Sequence, residues 1–215
     1  MGISKGFFVT FEGIEGSGKS TQIAELSSFL KKKITKKVFL TREPGGTKIS
    51  EKIRKLVIDD LDKKSNPLTE LFLLFAARAE HYDLIKDFLS KGYIVLCDRY
   101  VDSTIAYQHY NGSIKLEVIR YLQKLIDKNK KPDLTFLLDV DPLITKFRIS
   151  KRKKVLDRFD RESLSTMRII KKGFLKIAKS NKKRVKIISE KLSIKEVQKK
   201  IQYIALSHIK NAKYK

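Results

Sequence analysis

Five short apolar runs, rich in β-branched and aromatic residues, punctuate the chain: FFVTF (7–11), VFLT (38–41), YIVLC (93–97), LTFLLDV (134–140) and VKII (185–188). Several show no polar alternation, the pattern of strands buried on both faces. Between them lie stretches with helical periodicity, at about 18–33, 46–59, 67–90, 114–129, 142–152, 160–180 and 193–209. Strands alternating with helices predict an α/β domain built from βαβ units around a five-stranded parallel sheet. No internal repeat or low-complexity linker interrupts the pattern, so the 215 residues read as one domain. The stretch 67–90 opens on Asn66, suited to an N-cap, and Pro67, suited to the first helical position. Its early part, LFLLFAARA, is apolar almost all round and needs cover on more than one side. Core burial meets most of that need, and a helix-mediated homodimer would meet the rest.

Composition narrows the class. Hydrophobic residues make up 41% of the chain, enough for a real core. The single cysteine, Cys97, excludes a disulfide framework and reads as a small buried core residue. The apolar run at 7–11 stops at Glu12, too soon for a signal peptide, and no segment is long enough to span a bilayer. A cytoplasmic protein is expected. The net charge of +24 raises nucleic-acid binding as a function. Against it, lysine outnumbers arginine 37 to 11, the lysines are spread along the chain, and no aromatic-interleaved basic block appears.

The chemistry starts at GIEGSGKS (13–20), which fits G-x-x-x-x-G-K-[ST] and lies between a predicted strand and a predicted helix. Such a loop wraps its N–H groups around phosphate oxygens, and the following helix adds its dipole. The residues expected to bind a nucleoside triphosphate, ATP by the resemblance described below, are Gly13, Ile14, Glu15, Gly16, Ser17, Gly18, Lys19, Ser20 and Thr21. Lys19 reaches the terminal phosphates, and the Ser20 hydroxyl holds Mg²⁺. A second anion site is expected nearby. TREPGG (41–46) and CDRY (97–100) place Arg42 and Arg99 at the C-terminal ends of two strands, where open α/β sheets bind ligands. Asp98 ends a strand there and can hold the metal or its water shell. A GTPase switch is disfavoured because NKKP (129–132) lacks the Asp of the guanine motif N-K-x-D.

Together, FEGIEGSGKST, TREPGGT, LFAARAEH, CDRYVDSTIAYQ and PDLTFLLDVDP resemble the thymidylate kinase family in order and spacing, over residues 7 to 165. The resemblance implies a P-loop nucleoside monophosphate kinase fold and transfer of the ATP γ-phosphoryl group to dTMP. The alternative is a P-loop kinase for another nucleoside monophosphate. By the resemblance, Arg99 holds the dTMP phosphate, Arg78 meets a thymine carbonyl, and Thr104 bonds the base. Tyr107 crowds the place of a 2′-hydroxyl, Gln108 lines the pocket, and Pro44 lies beside the acceptor phosphate. The family commonly stacks a Phe four residues before the helix Arg. Here that position is Leu74, and Phe75 or Phe72 is expected to serve. His81 is read as structural. The segment 144–163 is read as a basic lid over ATP, with Arg148, Arg152, Lys153 and Arg158 as candidates for neutralising charge; Lys19, Arg99, Arg152 and Arg158 form the expected catalytic set. Glu15, a carboxylate inside a phosphate loop, is expected to face dTMP and accept from its 3′-hydroxyl. No arginine lies within the loop, so the lid is the expected source of positive charge.

Overall fold

The computed structural model describes residues 6–62, 64–128, 130–152, 155–189 and 192–212. Each apolar run forms a strand: β1 (Phe7–Glu12), β2 (Val38–Arg42), β3 (Ile94–Asp98), β4 (Leu134–Asp139) and β5 (Val185–Ser189). They make one parallel sheet in the order β2-β3-β1-β4-β5. The central strand β1 is buried along its whole length, which explains its unbroken apolar run. Register brings Phe11, Arg42 and Asp98 side by side at the C-terminal edge. Strands β2 and β3 lie on one side of β1 and β4 and β5 on the other, and open α/β sheets bind ligands at the C-terminal edge of such a switch point.

The helices are α1 (Lys19–Lys33), α2 (Lys48–Lys55), α3 (Pro67–Ser90), α4 (Val101–Thr104), α5 (Leu116–Asp127), α6 (Pro142–Ser150), α7 (Leu164–Ser180) and α8 (Ile194–Ala212). A π-helical turn at Leu56–Asp60 extends α2, and another at Ile105–Tyr110 extends α4. Capping explains the sharper starts. Asn66, Asp141 and Ser163 side chains accept from backbone N–H groups of Leu68, Leu143 and Thr166, at 2.9, 2.8 and 3.1 Å. Each such cap is worth about 1 kcal/mol. Ser163 therefore starts α7 later than the periodicity suggests. The segment 101–110, for which the pattern predicts no helix, forms α4 and its π-helical turn.

Side chains of β1 alternate between two cores. Phe7, Val9 and Phe11 pack with Leu26 and Leu30 of α1 and Ile201 and Ala205 of α8. Phe8 faces the other way, with Leu71, Phe75 and Ile85 of α3, Ile119 of α5 and Tyr100. A third cluster joins Ile14 of the loop after β1 to Met167, Ile170 and Phe174 of α7. Cys97 is fully buried, as expected, and burial pushes its thiol pKa up.

Candidate active site

The loop after β1 holds its shape by its own contacts. Gly13, Gly16 and Gly18 take φ of 142°, 75° and 94°, a region that L side chains rarely adopt. A Cβ on Gly16 would also lie 2.8 Å from the Thr145 carbonyl oxygen of α6. Lys19 is 6% exposed, and its Nζ donates to the Gly13 and Ile14 carbonyls at 3.1 Å each. Burial lowers its pKa, with Arg99 acting in the same direction against Glu15, Asp98 and Glu12. Gly18 is the N-cap of α1, so the loop delivers its N–H groups at a helix N-terminus. Ser20 and Thr21 stand exposed in the first turn.

Ser20 Oγ donates to Asp98 Oδ2 at 3.0 Å, while Asp98 Oδ1 is buried with no hydrogen-bond partner. A hydroxyl, a carboxylate with a spare oxygen and an adjacent phosphate loop form the donor set that Mg²⁺ takes, the remaining ligands being phosphate and water. No group of three or more His, Cys, Asp or Glu that could hold a metal occurs among the described residues.

Arg99 sits between β3 and α4 with φ 71°, a left-handed turn that projects its side chain into the cleft. Its Nη2 donates to Glu15 Oε1 and, at 3.3 Å, to the Tyr107 hydroxyl; its Nη1 donates to Ser103 Oγ at 2.9 Å. Burial opposes charge on Glu15, but Arg99 and Lys19 outweigh it and hold the carboxyl at about 2. Glu12 braces the turn from beneath: its Oε1 accepts from Tyr100 N at 2.8 Å and its Oε2 lies 2.6 Å from Ser103 Oγ. Burial, with Asp102 nearby, pushes its carboxyl up to about 8.

A second buried cation lies across the cleft. Arg78 Nε donates to Glu43 Oε2 at 2.8 Å and its Nη2 to Thr104 Oγ1 at 3.0 Å; Nη1 is buried without a partner. His81 completes the group, with Nδ1 3.1 Å from Glu43 Oε1 and Nε2 2.5 Å from Thr41 Oγ1. Burial opposes the Glu43 charge, yet Arg78 and His81 bring its pKa down. His81 is therefore placed as structural, as expected. The peptide between Glu43 and Pro44 is cis, and the Pro44 carbonyl accepts from Arg54 Nη1 at 3.0 Å. A Cβ on Gly46 would come within 2.6 Å of the His81 ring, which fixes glycine in the PGG turn. Arg42, half-exposed at the cleft wall, pairs with Glu51 at 2.8 Å and so braces the turn.

One cleft of 1230 Å³ joins these groups, with Glu15, Lys19, Ser20, Thr21, Pro44, Arg78, Asp98, Arg99, Thr104, Tyr107, Gln108 and Arg152 on its walls. Expectations for four residues, Phe75, Phe72, Arg158 and Arg148, need correcting. Phe75 is not in the cleft: it is 3% exposed in the core, with the Arg78 guanidinium 4.9 Å from its ring centroid. Leu74 lines the cleft instead, and Phe72 is 54% exposed outside it. Aromatic residues that do line the cleft include Phe39 and Phe159, the latter edge-on to Tyr107 at 5.7 Å between centroids. Arg158, one residue before it, pairs with Glu70 and does not line the cleft. Arg148 is exposed on α6, and Lys153 lies outside the described residues. Arg152 does reach the cleft, with Nη1 donating to the buried Asp160 at 2.8 Å. Sequence reasoning missed Glu12, Ser103, Glu43 and Glu70; Glu12 and Glu70 stand as acidic residues in a strand and a helix, and Glu43 lies inside the TREPGG run.

Comparison with known proteins agrees with this geometry. The family model described as thymidylate kinase matches residues 11–201. A thymidylate kinase of Sulfurihydrogenibium sp. (strain YO3AOP1) is 46% identical over 195 residues, covering 90% of this chain and 94% of the relative. One of Ligilactobacillus salivarius (strain UCC118) is 39% identical with the same coverages, 90% and 94%. The crystal structure of thymidylate kinase from Ehrlichia chaffeensis superposes with a TM-score of 0.74 at 34% identity, covering 94% of this chain and 99% of that one. This chain belongs to the thymidylate kinase family.

Proposed function

We infer that this protein is a dTMP kinase, which transfers the γ-phosphoryl group of ATP to dTMP and yields dTDP for dTTP synthesis. One observation carries the reading: a single cleft joins the phosphate loop to Arg99 and to the unpartnered Nη1 of Arg78. Phosphoryl transfer between two polyanions is mainly a matter of positioning and charge neutralisation.

The backbone of 13–18 cradles the ATP phosphates, and Lys19 exchanges two neutral carbonyls for phosphate oxygens. Ser20 and Asp98 would hold Mg²⁺, which neutralises phosphate charge when bound. Arg99 takes the dTMP phosphate, leaving Glu15 beside it to accept from the 3′-hydroxyl. Arg78 Nη1 is the free donor for a thymine carbonyl, and Tyr107 crowds the 2′ position. No general base is required, because the acceptor phosphate is already an anion at pH 7. Arg152 brings the lid's charge to the cleft, and lid closure excludes water.

The rest of the reading follows from the same features. The chain works as a single P-loop kinase domain with a lid at 144–163. Leu68 and Phe72 on α3 are 42% and 54% exposed, which supports a homodimer through that face. Among the described residues no helix is long and apolar enough to cross a membrane. We place the enzyme in the cytoplasm, where its nucleotide substrates are.

A coupled assay with ATP and each nucleoside monophosphate tests the proposal. The expected result is a clear preference for dTMP in kcat/KM; activity spread evenly over the monophosphates would overturn it.

A further inference from the structure

Arg158 was expected at the phosphates, but its partner is on the acceptor side. Its Nη1 donates to Glu70 Oε2 at 3.1 Å, and its Nη2 lies 2.6 Å from Glu70 Oε1. The two side chains are only 23% and 17% exposed, so this pair is shielded from water more than a surface ion pair. The same Glu70 Oε1 accepts from Gln108 Nε2 at 3.1 Å. An ionised carboxylate only accepts, so it fixes which end of the Gln108 amide faces it. The other end, Oε1, is buried and has no hydrogen-bond partner among the described residues, on a residue that lines the cleft. A buried acceptor without a donor destabilises the site, and that cost is removed when a ligand supplies the donor.

A pyrimidine ring nitrogen carrying hydrogen, as in thymine or uracil, supplies that donor. Cytosine presents an acceptor at the same ring position. Next in the chain, Phe159 lines the cleft against Tyr107, with the Arg158 guanidinium 4.3 Å from its ring centroid. The segment around 158–159 is thus fastened to the acceptor pocket by one ion pair and one ring contact.

We propose that Glu70 and Arg158 are positioning residues for the acceptor base: Arg158 holds Glu70, and Glu70 holds the Gln108 amide so that its oxygen remains for a ring N–H. This rests on the dTMP kinase reading and deepens it. Base selection is shared, with Arg78 acting on an exocyclic oxygen and Gln108 on the ring nitrogen. The lid's labour is divided, with Arg152 toward the phosphates and Arg158 toward the base.

Steady-state kinetics of the full chain with dTMP, dUMP and dCMP at saturating ATP test this. Glu70→Ala is expected to raise KM for dTMP about tenfold with a smaller change in kcat, the signature of lost substrate positioning. It should also lower the dTMP-over-dCMP ratio of kcat/KM about tenfold, leaving dTMP and dUMP affected alike, since unpaired polar groups dominate such discrimination. Arg158→Gln should shift KM in the same direction, about fivefold, and add little to Glu70→Ala in the double variant. Arg158→Lys, which keeps the charge without the two-point grip, should fall between wild type and Arg158→Gln, and it carries the KM test should Glu70→Ala fail to fold. An Arg158→Gln enzyme with lowered kcat and unchanged KM for dTMP would overturn the proposal, as would a Glu70→Ala enzyme with an intact dTMP-over-dCMP ratio. A wild-type enzyme without dTMP preference would overturn the proposed function instead.

Discussion

Lys19 and Arg78 are both buried cations, 6% and 3% exposed, yet they are held in opposite ways. Lys19 leans on two neutral carbonyls of its own loop, five and six residues away. Arg78 leans on a carboxylate 35 residues away and a hydroxyl 26 residues away. Neutral acceptors yield readily to phosphate, so the donor side is built to exchange partners. The Glu43 carboxylate does not leave, so the acceptor side is built to stay, with one donor of Arg78 left over for the ligand. Catalytic groups of the first kind can be removed with little loss of fold. Those of the second kind cannot.

Four substitutions press on that difference. Lys19→Ala should have the largest effect, lowering kcat about 10³-fold with little change in Tm, since lost charge stabilisation of a reacting phosphoryl is of that order. A comparable drop in Tm would show that the loop depends on Lys19 to fold. Arg99→Ala should cost about 10²-fold in turnover and weaken dTMP binding more than ATP binding. Isothermal titration with each nucleotide separates the two, and equal losses would count against the site assignment. Glu43→Ala should act on stability first: breaking a buried pair costs about 3–5 kcal/mol, or roughly 10 °C in Tm for a domain this size. A thermal scan showing no loss would dissolve the contrast with Lys19. The last effect is spread over a pH window and concerns Glu12, which burial raises from an ordinary 4.5 to about 8. Between those values the folded chain keeps a proton that the unfolded chain releases. Its contribution to stability is therefore full below pH 4.5 and lost as pH rises toward 8. Wild-type stability should fall relative to Glu12→Gln by about 1 kcal/mol per pH unit across that window. Parallel curves would contradict the shift.

The same contrast governs how much the sequence discloses. All five strands were legible as apolar runs, which in β1, β3 and β4 follow from burial on both faces, and α3 was legible to the residue because Asn66 and Pro67 mark its start. The phosphate loop is contiguous, so its motif states its chemistry. The acceptor side is assembled across the fold, and only family resemblance pointed to Arg78, Thr104 and Tyr107. Its supports stayed hidden because their partners are far away: Ser103 and Glu12 are 91 residues apart, and Arg158 and Glu70 are 88 apart. The missed α4 and its π-helical turn have the same cause. VDSTIAYQHY has no helical period; Asp102 pairs with Arg184, Thr104 with Arg78 and Gln108 with Glu70, so tertiary contacts decide its conformation. Phe75 was misplaced because one residue on a helix is a turn of about 100°, enough to move a ring from cleft to core.

The sheet ends at β5, which among the described residues pairs with β4 alone, and a sheet edge is where a strand from another copy can add. Ile187, 43% exposed in that strand, makes the edge adhesive, while Lys186 beside it and the net charge of +24 make copies repel. That repulsion reaches about 10 Å at 0.1 M salt and only about 3 Å at 1 M. The lysines that name no substrate thus act as a colloidal stabiliser, and light scattering should report association as salt is raised.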